Sequence, residues 1–333
     1  MAYSQLLGDL ANDLHDAQSP LLADLALCGE DLIRILQASS RLCPSHAQDL
    51  DRLADTAHVH MRAAREGDPF AWRRLYTDAL LVRCLADASA HAHLEEGPAT
   101  ECIERLDRIL IVAGAPGEGR RDLVQALIAL IQRDFLPCAP FSLEDADSST
   151  LPEISSRPPP RVSAAMLPVP RLPDPPSIVA FQRRLHTPFI LPGFARDWPA
   201  LTTRPWRSLA YLRAAAGRGR VVPVEVGRDY RADDWTQRVM PWGDFLGALQ
   251  GGEEDAVLYM AQHDVLGQFP GLMEDVEVPD YVYCAPEPPE GYPEYRPPGN
   301  EEQLVINGWL GPRGTVSPAH TVRRYSHKAP NLH

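Results

Sequence analysis

Three groups of residues in this 333-residue chain have types and spacings that chemistry could use. The first is GAPGEGRRD, Gly114 to Asp122, which follows the apolar run ILIVA and precedes a helical pattern. A phosphate-binding loop in that setting needs Lys followed by Ser or Thr, and Arg120 and Arg121 stand there instead. The residues before it keep helical spacing from Ile103 onward, so the stretch is expected to be a helix–helix turn. The second group is HVH (His58, His60) and HAH (His91, His93). On a helix, residues two apart point to different faces, so neither pair chelates a metal by itself. Surface or interhelix polar roles are expected. The third group is six cysteines, Cys28, Cys43, Cys84, Cys102, Cys138 and Cys284, with no CxxC pair among them. Most are expected to be buried, reduced thiols of a nuclear or cytosolic protein.

The elements that must carry any site fall into stretches of different texture. Residues 1–138 read as an α-helical domain. LLADLALCGEDLIRILQAS, AWRRLYTDALLVRCL, TECIERLDRILIVAG and RRDLVQALIALIQRDFL each place apolar residues on one face at helical spacing, the pattern of an antiparallel array. Residues 139–176, rich in Pro, Ser and acids, read as an extended linker. From residue 177 short β-prone runs appear: TPFIL, RVVPVEV, AVLYMAQ, EQLVING and GTVSPAH. Helical segments lie around Ile178–Leu185, Trp206–Ala216 and Trp242–Leu249, and CAPEPPEGYPEYRPPGNEE reads as a surface loop. The expected class is α+β: helices first, then a barrel or jelly roll decorated by helices.

Composition narrows the function. A formal net charge of −13 argues against a chain that coats nucleic-acid phosphates. No apolar run approaches 18 residues, so no membrane span is expected, and the first thirty residues lack the layout of a secretory signal. Of 32 basic residues only Lys328 is a lysine, a bias that suggests a GC-rich coding sequence.

One ordered series of motifs points further. It runs FILPGFARDWPAL, WRSLAYLRAAAG, RVVPVEVGRDYRADDWTQRVMPWGDFL, LYMAQHDVLGQFPGLMEDVEVPDY and LVINGWLGPRGTVSPAH. From about Ile178 to His320 the chain resembles the JmjC-domain oxygenases of the cupin superfamily. The nearest branch is the nuclear one described as a protein arginyl hydroxylase and proposed as a histone lysine demethylase. The resemblance implies a double-stranded β-helix that uses iron(II) and 2-oxoglutarate, with two histidines and one carboxylate on one face of the iron. Carried over residue by residue, His320 matches the first iron ligand, and Tyr259 and Ser317 match hydroxyls that contact 2-oxoglutarate. Gln262, Asn307 and Trp309 match positions lining the substrate pocket. Core packing is the alternative for Tyr259 and Trp309 and is compatible with those roles; a buried hydrogen bond is the alternative for Gln262 and Asn307. The implied partner is a histone or other nuclear protein substrate, in the nucleus or cytoplasm, with no direct nucleic-acid contact.

The series departs from the family after His320. The family places an acid two residues on; here Thr321 and Val322 follow, and no carboxylate occurs from 321 to 333. The Asn and Lys that complete the 2-oxoglutarate site, and the distal iron-binding His, have no aligned counterpart. TVRRYSHKAPNLH brings His327, Lys328 and His333, but a basic stretch with Pro330 and no β alternation offers no rigid strand to fix a ligand. The expectation is therefore an incomplete β-helix over 177–320 with an aberrant, disordered tail at 321–333, in a C-terminally truncated gene product. It is expected not to hold iron(II) or 2-oxoglutarate stably and to be inactive. A non-catalytic scaffold that binds a partner through the helical domain is the second reading.

Overall fold

Phe70–Ala90 reads FAWRRLYTDALLVRCLADASA, apolar on nearly every side, and a helix of that kind needs partners all round. A computed structural model of the chain supplies them. It describes residues 2–16, 18–42, 46–63, 69–90, 94–146, 150–151, 169–185, 187–227, 235–250, 257–284, 304–312 and 315. The helical array comprises α1 (Ala2–His15), α2 (Pro20–Ala23), α3 (Glu30–Leu42), α4 (Ala47–Ala63), α5 (Phe70–Ala90), α6 (Glu96–Arg108) and α7 (Arg120–Phe135). Helix α5 packs on α1, α3, α4, α6 and α7. Leu75, Ala79, Val82 and Leu85 are sealed in the first core with Leu50, Ile103, Leu106, Leu127 and Ile131.

GAPGEGRRD is a turn, as the spacing predicts. A π turn, Ile109–Ala113, ends at Gly114 in the left-handed region (φ 72°), and α7 starts after Gly119 (φ 67°). The glycines have a packing reason too, because a Cβ at Gly117 would collide with Nη1 of Arg74. Arg74 is fully buried; its Nε donates to Asp78 at 2.7 Å, and Arg120 Nε donates to the other oxygen of Asp78 at 2.8 Å. Of the two arginines that stand where a phosphate loop would have its lysine, Arg120 is spent on the core and Arg121 on an exposed ion pair with Asp264.

The second part is one antiparallel sheet in the order β2-β1-β3-β4, covered on one face by helices. Its elements follow as α8 (Ile178–Gln182), α9 (Leu209–Ala216), β1 (Val221–Val226), β2 (Thr236–Pro241), α10 (Trp242–Ala248), β3 (Leu258–His263), α11 (Val265–Gln268) and β4 (Gly308–Leu310). Ser208 caps α9 by accepting from the Tyr211 amide, which sets its start three residues inside the stretch predicted from sequence. Val222, Val224, Leu258 and Met260 turn one sheet face toward Leu212, Trp242, Phe245, Leu246 and Phe269, and that is the second core. Antiparallel sheets keep such a division because successive side chains point to opposite faces.

The α+β class and the helical N-terminal region are as expected, and among the described residues the strands form a single open sheet. TPFIL contributes only an isolated bridge, Ile190 to Arg171, and GTVSPAH lies outside the described residues except for Thr315. Parts of 139–176 pack on the second core. Phe141 meets Tyr211 edge-on at 5.1 Å, and Thr150 bridges Ser208. Residues 152–168 and the tail 321–333 lie outside the described residues.

Candidate functional site

The face of the sheet turned away from the helices carries three of the sequence-predicted residues, Tyr259, Asn307 and Trp309. In β1 the core takes Val222 and Val224, leaving Pro223 and Glu225 on the other face. In β3 it takes Leu258 and Met260, leaving Tyr259 and Ala261. Ile306 and Leu310 pack against the core, so Asn307 and Trp309 are offset to the open face, and Trp309 is 54% exposed there. Register aligns the strands: Glu225 pairs with Gln237 on one side and with Tyr259 on the other, giving the row Gln237–Glu225–Tyr259.

Tyr259 holds its phenol proton more tightly than a free tyrosine, first because of burial and then because of the negative charge of Glu225. Its ring rests on Gly311, where a Cβ would stand 2.7 Å from Tyr259 Cδ2 and 2.8 Å from Thr315 Oγ1. Thr315 closes that turn by donating its hydroxyl to the Pro312 carbonyl at 2.7 Å. Glycine at 311 therefore lets the turn after β4 run against the Tyr259 ring. Ser317 and His320 lie outside the described residues.

Gln262 sits at a kink. The β3–β4 register shifts between Met260 and His263, and Gln262 has φ 48°, rare for a side chain of its size. The bulge leaves Gln262 exposed and turns His263 inward, where Nε2 meets Gln268 Oε1 at 2.5 Å. Burial lowers the pKa of His263, opposed by the Gln268 hydrogen bond. Gly308, paired with His263, has no room for a side chain: a Cβ would lie 2.6 Å from Val265 Cγ1.

The remaining predicted candidates are scattered. His60 stacks on Trp72 at 3.9 Å and His58 lies 6.1 Å from Tyr76, both as interhelix polar residues, while His91 and His93 lie outside the described residues. Cys28, Cys84 and Cys102 are buried; Cys138 is exposed, because it follows the end of α7 where no element covers it. Cys43 lies outside the described residues.

Sequence reasoning missed the polar core that joins the array to the sheet. Asp107 on α6 and Arg220, one residue before β1, form a buried bidentate pair, with Nη2 at 2.7 Å and Nε 3.0 Å from each oxygen. The other Asp107 oxygen also accepts the Val221 amide at 2.8 Å. Asp107 falls between Ile103 and Leu110 on the apolar face of its helix, and a lone acid there was the signal of a buried partner.

Comparison with known proteins decides the family. Residues 179–321 match the family described as a cupin-like domain. Lysine-specific demethylase 8 of Danio rerio is 33% identical over 257 residues, which is 75% of this chain and 58% of that protein. Residues 179–321 are a cupin-like domain of the JmjC kind. Jumonji C domain-containing protein 5 of Drosophila melanogaster is 36% identical over 159 residues, 46% of this chain and 36% of that protein. Lysine-specific demethylase JMJ30 of Arabidopsis thaliana is 35% identical over 136 residues, 40% of this chain and 28% of that protein. The chain thus spans under two thirds of the length of each of these JmjC relatives.

JmjC chemistry implies iron(II), and the described residues do not fit it. No group of three His, Cys, Asp or Glu side chains among them could hold a metal ion. The open face offers Glu225 as a single carboxylate, and the histidine of β3 is turned into the core by the bulge. No described helix is long and apolar enough to cross a membrane.

Proposed function

We propose that the open face of the sheet is a JmjC-type site for a protein side chain, and that the chain as it stands does not turn over. The observation that supports the site is the common face of Tyr259, Glu225, Asn307 and Trp309, opposite the face that the helices cover. The Glu225 carboxylate gives a counter-charge suited to a basic side chain, in keeping with relatives whose names specify lysine demethylation. A histone or other nuclear protein is the proposed partner, and the nucleus the proposed location.

The reading without turnover rests on the donor set. His320 supplies one nitrogen, while Val322 stands where the family has its acid. One neutral donor on a chain segment does not make the two-histidine, one-carboxylate face that iron(II) oxygenases use. Tyr259 is then the residue left to contact 2-oxoglutarate, together with Ser317, and a contact without the metal is weak.

Saturation-transfer NMR with 2-oxoglutarate tests the site. The expected result is contact with a Kd of about 1 mM or weaker, reduced by Tyr259→Phe, which removes only the hydroxyl. Equal transfer to wild type and Tyr259→Phe would overturn the assignment of Tyr259.

A further inference from the structure

The corner that ends β3 and opens α11 is tied to the helical array. Arg220 Nη2, already bound to Asp107, also donates to the Gln268 carbonyl at 2.7 Å. Gln268, 1% exposed, spends both ends of its side chain: Nε2 donates to the Val221 carbonyl at 2.7 Å, and Oε1 meets His263 Nε2 at 2.5 Å. From α7, Gln125 Nε2 donates to the carbonyls of Gly267 at 2.9 Å and Gln268 at 3.3 Å, and Arg121 pairs with Asp264 at 2.8 Å. An unbroken chain of contacts therefore runs from Asp107 through Arg220 and Gln268 to His263. His263 adjoins Gln262, whose left-handed backbone persists only where its surroundings over-determine it.

We propose that Asp107 is a positioning residue for the open-face site, acting through Arg220, Gln268 and His263 to fix the bulge at Gln262. The bulge sets the register in which β3 offers Tyr259 beside Asn307 and Trp309 of the β4 segment. The inference rests on the reading of that face as a JmjC-type site. It adds that the helical array is part of the site's construction: the residue that begins the chain of contacts lies on α6, 113 positions from the arginine it holds. Apolar residues of similar volume can replace a buried ion pair without loss of stability, but they cannot hold the Gln268 carbonyl and the Val221 amide in place.

The test uses the full chain, with amide hydrogen exchange followed residue by residue, in Asp107→Asn and in Gln268→Met. Gln268→Met keeps the Asp107–Arg220 pair and the bond to the Gln268 carbonyl while removing the link to His263. Both variants are expected to speed exchange at residues 258–263 and 308–310 by about tenfold or more, with α5 retaining wild-type protection. The His263 ring nitrogen signals, identified by their loss in His263→Gln, are expected to shift in both. Exchange that rises equally in α5 and β3, with the His263 signals unmoved, would mean that Asp107 serves stability alone and would overturn the proposal. Should Asp107→Asn fail to fold, Gln268→Met alone decides, by the same two readouts. Contact with 2-oxoglutarate is scored separately, so the positioning role and the functional reading fail independently.

Discussion

Each nitrogen of the buried Arg220 guanidinium has a hydrogen-bond partner. Asp107 takes Nε and Nη2, the carbonyls of Ala216 and Gln268 accept from Nη1 and Nη2 respectively, and the Phe269 ring lies 4.6 Å beneath the central carbon. Removing one partner leaves the other charged and buried, which costs roughly 3–5 kcal/mol. Asp107→Ala is expected to lower stability by an amount in that range, read from urea denaturation; a loss under about 1 kcal/mol would mean that water reaches Arg220. His263 adds a pH dependence. Its folded pKa lies below the unfolded value, so the unfolded chain binds more protons as pH falls. Its contribution is therefore complete above the unfolded pKa of about 6.5 and is lost as pH drops through the lower folded value. Wild type should lose more stability between pH 7 and pH 5 than His263→Gln, measured by denaturation at both values.

At the scale of elements, two glycines separate packing from propensity. Gly308 faces Val265 with no room for a methyl group, and its strand is the one that carries Trp309. Gly308→Ala should cost about 1–3 kcal/mol by overpacking and displace β4 from β3. Gly8, inside α1, has nothing within 4 Å of where an added methyl group would stand, so Gly8→Ala should raise stability by about 1 kcal/mol. Thermal melts of the two variants should move in opposite directions. Helices α3, α5, α6 and α7 were legible because apolar residues recur at the helical period, and β1 and β3 because Val, Tyr and Leu cluster between turn residues. The bulge at Gln262 was not legible. It arises from a register shift against a strand some fifty residues later, and nothing in the local sequence LYMAQHDV demands a left-handed residue. Nor was the use of Phe141 and Thr150 as packing and bridging residues legible, since Pro- and Ser-rich surroundings mask such contacts.

On the scale of the whole molecule, array and sheet are joined by polar contacts that sequence periodicity does not register. Besides the Asp107–Arg220 pair, Gln132 donates to the carbonyls of Ala216 and Arg218, Arg218 pairs with Glu96, and Gly219 packs on Ile103 and Leu136. The JmjC assignment was legible because an ordered series of motifs survives over residues 178–320. The arrangement of the site was only half legible: Tyr259, Asn307 and Trp309 share the open face, while Glu225 joins them through strand register, which a sequence does not display. Among the described residues, that face lacks the donor set for iron. The proposed JmjC-type face has no working metal centre, and succinate formation is the decisive readout. With iron(II), ascorbate, oxygen and 2-oxoglutarate supplied, succinate should stay at the protein-free background for wild type and His320→Ala alike. Catalytic succinate formation that His320→Ala abolishes would contradict it.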